Sequence, residues 1–165
     1  MPAPSSAPTA VASATFSVDA TIVWAYRLNF ENLPDYNPDV SELSRVNDGD
    51  GVGGVHGQGA RYQFELADAR KPGVTHAVEL WTQEVVEPSL VSAGMRGPND
   101  AYEEFVVRER PVGCQATLTL WVSLPPGLSD SVLEAAAAGS LVQLEKELTL
   151  MQQVLEGPDQ DPSVH

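Results

Sequence analysis

A chain of 165 residues, 42% of them apolar, is sized for one domain with a real core, which excludes global disorder. Its 23 acidic and 9 basic residues give a net charge of −14, unsuited to nucleic acid, where Lys and Arg on phosphates supply affinity, and to an anionic membrane surface. Cys114 is the one cysteine, so neither an intrachain disulfide nor a cysteine-based zinc site is available.

Residues 1–13 are rich in Ala, Pro, Ser and Thr, with neither the basic residues nor the apolar run of a signal peptide, and are expected to form a disordered tail. Residues 157–165 are expected to form another, leaving a single domain over 14–156. No segment approaches the roughly 20 apolar residues of a membrane span. A cytoplasmic setting is expected.

Ala14 to Asp19 alternates, with Phe16 and Val18 on one face, and is predicted to be a short strand. Asp19 is placed to cap a helix over Thr21 to Phe30. The helix should break at Glu31-Asn32-Leu33-Pro34, because the residue before proline is pushed out of the helical region. One further turn is expected over Leu33 to Tyr36. Strands then follow over Ser41–Val46, Ala60–Ala67, Val74–Val86, Leu90–Met95, Ala101–Arg110 and Cys114–Leu124. The turns between them are marked by the glycines of 47–59, by Lys71-Pro72-Gly73, by Gly97-Pro98 and by Pro111-Val112-Gly113.

Ser131 to Glu156 is predicted to be a long helix. Ser131 and Glu134 have the spacing of a capping box, and Gly157-Pro158 supplies a left-handed cap and a stop. Leu133, Ala137, Leu141, Leu144, Leu148, Met151 and Leu155 fall within about 80° of arc, one apolar stripe along roughly 37 Å. Short turns favour antiparallel pairing, and a sheet with one apolar face needs cover, which the long helix can provide. The fold class is therefore α+β: one strand, two short helices, six strands and a long helix.

Phe30-Glu31-Asn32-Leu33-Pro34-Asp35-Tyr36-Asn37-Pro38 is similar to the D-F-E-N-L-P-x-W-N-P stretch of the helix-grip superfamily, also called START-like or SRPBCC, and of its polyketide cyclase/dehydrase and lipid-transport group. Asn29 replaces the usual acidic residue and Tyr36 the usual tryptophan. The stretch from Trp121 to Pro125-Pro126-Gly127 before the last helix is also typical. The resemblance implies a seven-stranded antiparallel sheet curved around the long C-terminal helix, with a cavity between them for a hydrophobic ligand. It covers lipid carriers, hormone sensors, aromatases/cyclases and stress-related binders.

Alternation selects an inward face of Tyr62, Phe64 and Leu66, then His76, Val78 and Leu80, then Leu118, Leu120 and Val122. Tyr36, Met95 and Phe105 are expected to join them. In the long helix, Leu144 and Leu148 belong to a large-residue half, whereas Ala135 to Ser140 offers only Ala, Gly and Ser, under which a ligand would have room. The candidate ligand contacts are thus Tyr36, Tyr62, Phe64, His76, Leu80, Met95, Phe105, Leu118, Leu120, Ser140, Leu144 and Leu148. Each of them taken singly also suits plain core.

His76 has a side chain suited to proton transfer near neutral pH, and equally to a hydrogen-bonded strand end. Arg61, Arg96 and Arg108 read as solvated among Glu103, Glu104 and Glu109. Alternation places Trp81 and Trp121 on the polar face: either bulges reverse the phase there, or they lie outside, half covered, where they would suit a dimer contact. Asn47-Asp48-Gly49-Asp50-Gly51 resembles a calcium loop but lacks the distal glutamate, and His56 has no metal-ligand partner near it in sequence. No metal or cofactor is expected.

The leading reading is a carrier or sensor that encloses a small hydrophobic molecule such as a lipid or polyketide, as monomer or homodimer, with no nucleic-acid partner and no membrane insertion. The alternative is an aromatase/cyclase-type enzyme with His76 and Tyr62 as acid/base in the same cavity. A third is a protein-interaction module.

Overall fold

The alternating segments become seven strands of one antiparallel sheet in the order β1-β7-β6-β5-β4-β3-β2. The structure is a computed structural model that describes Pro4 and residues 6–157. The strands are β1 (Ala10–Phe16), β2 (Val40–Asn47), β3 (Arg61–Ala67), β4 (Thr75–Val86), β5 (Leu90–Arg96), β6 (Ala101–Glu109) and β7 (Cys114–Val122). Helix α1 (Ala20–Leu28), a 3₁₀ turn (Phe30–Asn32) and α2 (Leu33–Tyr36) follow β1, and α3 (Asp130–Glu156) closes the fold. The curved seven-stranded sheet, the short helices after the first strand and the long last helix are those expected from the sequence.

Four local expectations are corrected. The first strand is Ala10–Phe16, not Ala14–Asp19, and it takes in part of the tail expected over residues 1–13. In its sequence AVASATF three of the four inward positions are alanine, too small to mark an apolar face ahead of Phe16. Pairing with β7 defines the strand, from Ala10 opposite Leu120 to Phe16 opposite Cys114. The expected tail is tied further by the Thr9 N–H, which donates to the Leu120 carbonyl at 2.8 Å. Of the tail expected over 157–165, all but Gly157 lies outside the described residues.

Helix α3 begins at Asp130, and its cap is Ser129 rather than Ser131: the Ser129 hydroxyl accepts from the Val132 N–H at 3.4 Å. At the other end Gly157 has φ 82° and ψ 150°, a positive φ as expected but not the left-handed helical cap. The apolar stripe is buried only in its C-terminal half, at Leu144, Leu148 and Met151, whereas Leu133 and Leu141 are 40% and 37% exposed. A helix of 27 residues, about 40 Å long, reaches past the surface available to it.

The two halves of α3 are held differently. The C-terminal half lies along β1, where the Gln152 side-chain amide donates to the Thr15 carbonyl at 2.7 Å and the Ser17 N–H donates to Glu156 Oε1. Helix α1 lies against β5 and β6, with the Trp24 indole N–H on the Leu90 carbonyl at 3.0 Å. Among the described residues no helix is long and apolar enough to cross a membrane.

Candidate functional site

Between the inner face of the sheet and the middle of α3 lies a cavity of about 260 Å³. Its walls are apolar: Phe64 and Leu66 from β3, Val78 and Leu80 from β4, Met95 from β5, Leu120 and Val122 from β7, and Leu33 and Leu144 from the helices. Exposed Pro98 and Asn99 of the β5–β6 turn form the rim. The polar end is made by Glu103 of β6 with Gln143 and Glu147 of α3. A largely apolar cleft with a few convergent polar groups has the form of a small-molecule site.

Arg27 organises that polar end from behind. It sits in the last turn of α1 on the buried face with Val23 and Trp24, and it is 1% exposed. Its Nη2 donates to Glu103 Oε1 at 2.9 Å and its Nη1 to Glu147 Oε1 at 3.2 Å. The Gln143 amide donates to the other Glu147 oxygen at 3.3 Å. The guanidinium carbon lies 4.7 Å from the Tyr36 ring centre, 5.3 Å from Phe105 and 5.9 Å from Phe30, the geometry of cation–π contact. Arg27 Nε and the Tyr36 hydroxyl, both buried, find no hydrogen-bond partner among the described residues.

The electrostatics follow from one cation facing two carboxylates in a desolvated site. Burial opposes the Arg27 charge, but Tyr36, Glu103 and Glu147 outweigh it and hold its proton more firmly than usual. Burial raises the Glu147 carboxyl above the ordinary carboxylate range; Arg27 pulls it down and Glu103 pushes it further up. Burial likewise raises the Tyr36 hydroxyl, against the pull of Arg27.

No protein-family model and no curated protein matches this sequence. Solved structures match its shape. A START superfamily protein from Mycobacterium smegmatis superposes with a TM-score of 0.64 at 14% identity, over 88% of this chain and 97% of that one. Ara h 8.0201 superposes at 0.61 and 15% identity, over 89% and 97%. A protein of unknown function from Staphylococcus aureus, SA2116, does so at 0.69 and 13% identity, over 92% and 94%. The chain has the helix-grip fold.

Five of the predicted ligand contacts line the helix-grip cavity: Phe64, Leu80, Met95, Leu120 and Leu144. Tyr36, Tyr62, Phe105, Leu118 and Leu148 are buried in the packed core beside it and are not part of its lining. Ser140 is half-buried and outside the lining, as are residues 135–139, so the room lies under Gln143 to Glu147 and not under the small-residue half. Gly139 has open space where a side chain would be.

The two acid/base candidates are also placed elsewhere. His76 stands at the end of β4, with its side chain 41% exposed and Nε2 at 2.8 Å from Asp68 Oδ2. The Tyr62 hydroxyl meets His56 Nδ1 at 3.0 Å, its ring parallel to the imidazole, and Arg45 Nη1 lies 3.4 Å from His56. Burial, with Glu31 adding to it, pushes the Tyr62 hydroxyl up to about 12. Among the described residues no three His, Cys, Asp or Glu side chains are grouped to hold a metal.

Sequence reasoning missed Arg27, Glu147 and Gln143, and took Glu103 for a surface charge. The signal was present in each case. Glu103 is in phase with Phe105 and Val107, Glu147 lies between Leu144 and Met151 on the helical stripe, and Arg27 is four residues from Val23. Each is a charged residue on the apolar face of its own element.

Trp81 and Trp121 are on the outside, half covered, the second of the two placements that alternation left open. Cross-strand register aligns Trp81, Gly94, Tyr102 and Trp121 in one row across β4 to β7. The Trp81 indole lies over Gly94, where an added Cβ would come within 2.4 Å of Cζ2, and the guanidinium groups of Arg61 and Arg96 lie 5.9 and 5.8 Å from its ring.

Proposed function

We propose that this helix-grip protein binds a small hydrophobic molecule, such as a lipid or polyketide, between its sheet and α3. The observation that carries the reading is the cavity of about 260 Å³ with apolar walls drawn from four strands and two helices. START superfamily likeness in shape adds to it. Native mass spectrometry of protein purified without detergent tests the reading. An apolar adduct is expected on the wild-type chain and its loss on Met95→Trp, which fills the cavity. A wild-type chain with no adduct, which also takes up no added octanol by calorimetry, would sink it.

A second reading, a cyclase-type enzyme acting on a polyketide held in the same cavity, is favoured by the Glu103 and Glu147 carboxyls at its polar end. Catalysis there would be positioning joined to proton transfer. The acid/base role proposed for His76 and Tyr62 would then pass to Glu147, which lines the space where substrate would sit. Glu147→Gln is expected to lower product formation by about a hundredfold, the scale of one acid/base group. A larger loss in His76→Ala or Tyr62→Phe than in Glu147→Gln would return the role to those residues.

A further inference from the structure

Resting on the cavity reading above, we infer that the occupant of the cavity is an amphiphile headed by a primary amine, and that carboxylate-headed lipids are rejected. The charged groups lining the cavity are the Glu103 and Glu147 carboxyls; the other polar side chains are the Gln143 amide, whose nitrogen is already engaged by Glu147, and the Asn37 and Asn99 amides, which carry no charge. Both carboxyls are acceptors when ionised, and no Lys, Arg or His is among the lining residues. Arg27 lies outside the lining, with its Nη1 and Nη2 bound to the two carboxylates. A carboxylate head would meet two like charges with no cation facing it. An ammonium head would meet acceptors.

Charge balance points the same way. Arg27 with Glu103 and Glu147 leaves one negative charge in surplus, in a site where both acids are 7% exposed. Burying an unpaired charge is costly, so the surplus is relieved by a proton or by a bound cation. An ammonium supplies the second cation and makes the cluster two against two. A second observation also marks the cluster as short of a partner: the Tyr36 hydroxyl is fully buried against these same charges and is unpaired. The groups that surround Glu147 are Arg27 from α1, Tyr36 from α2, Glu103 from β6 and Gln143 from its own helix.

Calorimetric titration with octylamine, octanol and octanoate, which share one apolar body, tests the inference. The measurement is made in roughly 1 M salt, where the Debye length falls to about 3 Å and the overall charge of the chain is screened. Octylamine is expected to bind about tenfold tighter than octanoate, with octanol between, since charge complementarity sets the order. Glu147→Gln should collapse that preference to within about threefold, whereas Glu145→Gln, the same charge change on the exposed side of α3, should leave it intact. Should Glu147→Gln fail to fold by circular dichroism, Glu103→Gln takes its place, and the wild-type order stands as a test without either. Three equal affinities, or octanoate tightest, overturn the inference and leave the cavity reading in place. If none of the three binds, the cavity reading falls and this inference with it.

Discussion

Arg27 holds a full charge in the core, and its worth lies in what its loss would leave behind. Arg27→Met would strand two buried carboxylates, and removing one partner of a buried pair costs roughly 3–5 kcal/mol. Urea unfolding should show that loss, while Arg27→Met combined with Glu103→Leu and Glu147→Leu should recover most of it. A single-variant loss below about 1 kcal/mol would mean that water already reaches the cluster. Glu147 adds a pH dependence. Its carboxyl binds its proton more tightly folded than unfolded, so its stabilising contribution is complete below the unfolded carboxylate pKa and is lost as pH rises through the higher folded value. Glu147→Gln should therefore gain on the wild type in thermal stability as pH is raised from acidic to alkaline. None of this was legible in isolated residues: an arginine in a helix with mixed faces looks like cover, and only the phase of its neighbours marks it as interior.

At the scale of elements, strands with strict alternation were legible to within a residue or two, as in β3, β4 and β7. The start of β1 was not, because Ala10, Ala12 and Ala14 are too small to mark an apolar face. Helix α3 was legible as a helix but not in how much of it is anchored. Leu148, 2% exposed, should lose roughly 2–5 kcal/mol on truncation to alanine, whereas Leu141→Ala, on the exposed half, should lose little. Gly139→Ala should stabilise by about 0.5–1 kcal/mol, since a methyl there meets nothing and the helix gains a better former. In the outer row the register predicts a coupled pair. Gly94→Ala drives a Cβ into the Trp81 ring and should cost about 1–3 kcal/mol, and most of that cost should vanish in a Trp81→Ala background. Additive costs would mean that the indole does not rest on Gly94.

For the whole molecule, the order of elements and the stretch Phe30 to Pro38 were enough to anticipate the architecture. The position of the cavity was not, because it depends on how far along α3 the curved sheet reaches. That is a property of the assembled layers and is written in no single segment. The polar end of the cavity is global in the same sense: Arg27, Glu103 and Glu147 are brought together from α1, β6 and α3. The three tryptophans share one consequence of this layout. Trp24 is fastened to the Leu90 carbonyl, Trp81 and Trp121 lie on the outer row, and none is among the cavity's lining residues. Intrinsic indole fluorescence is therefore blind to occupancy. Saturating wild-type protein with octylamine should leave the emission maximum where it was, whereas an indole installed on the wall by Leu120→Trp should shift when the amine enters.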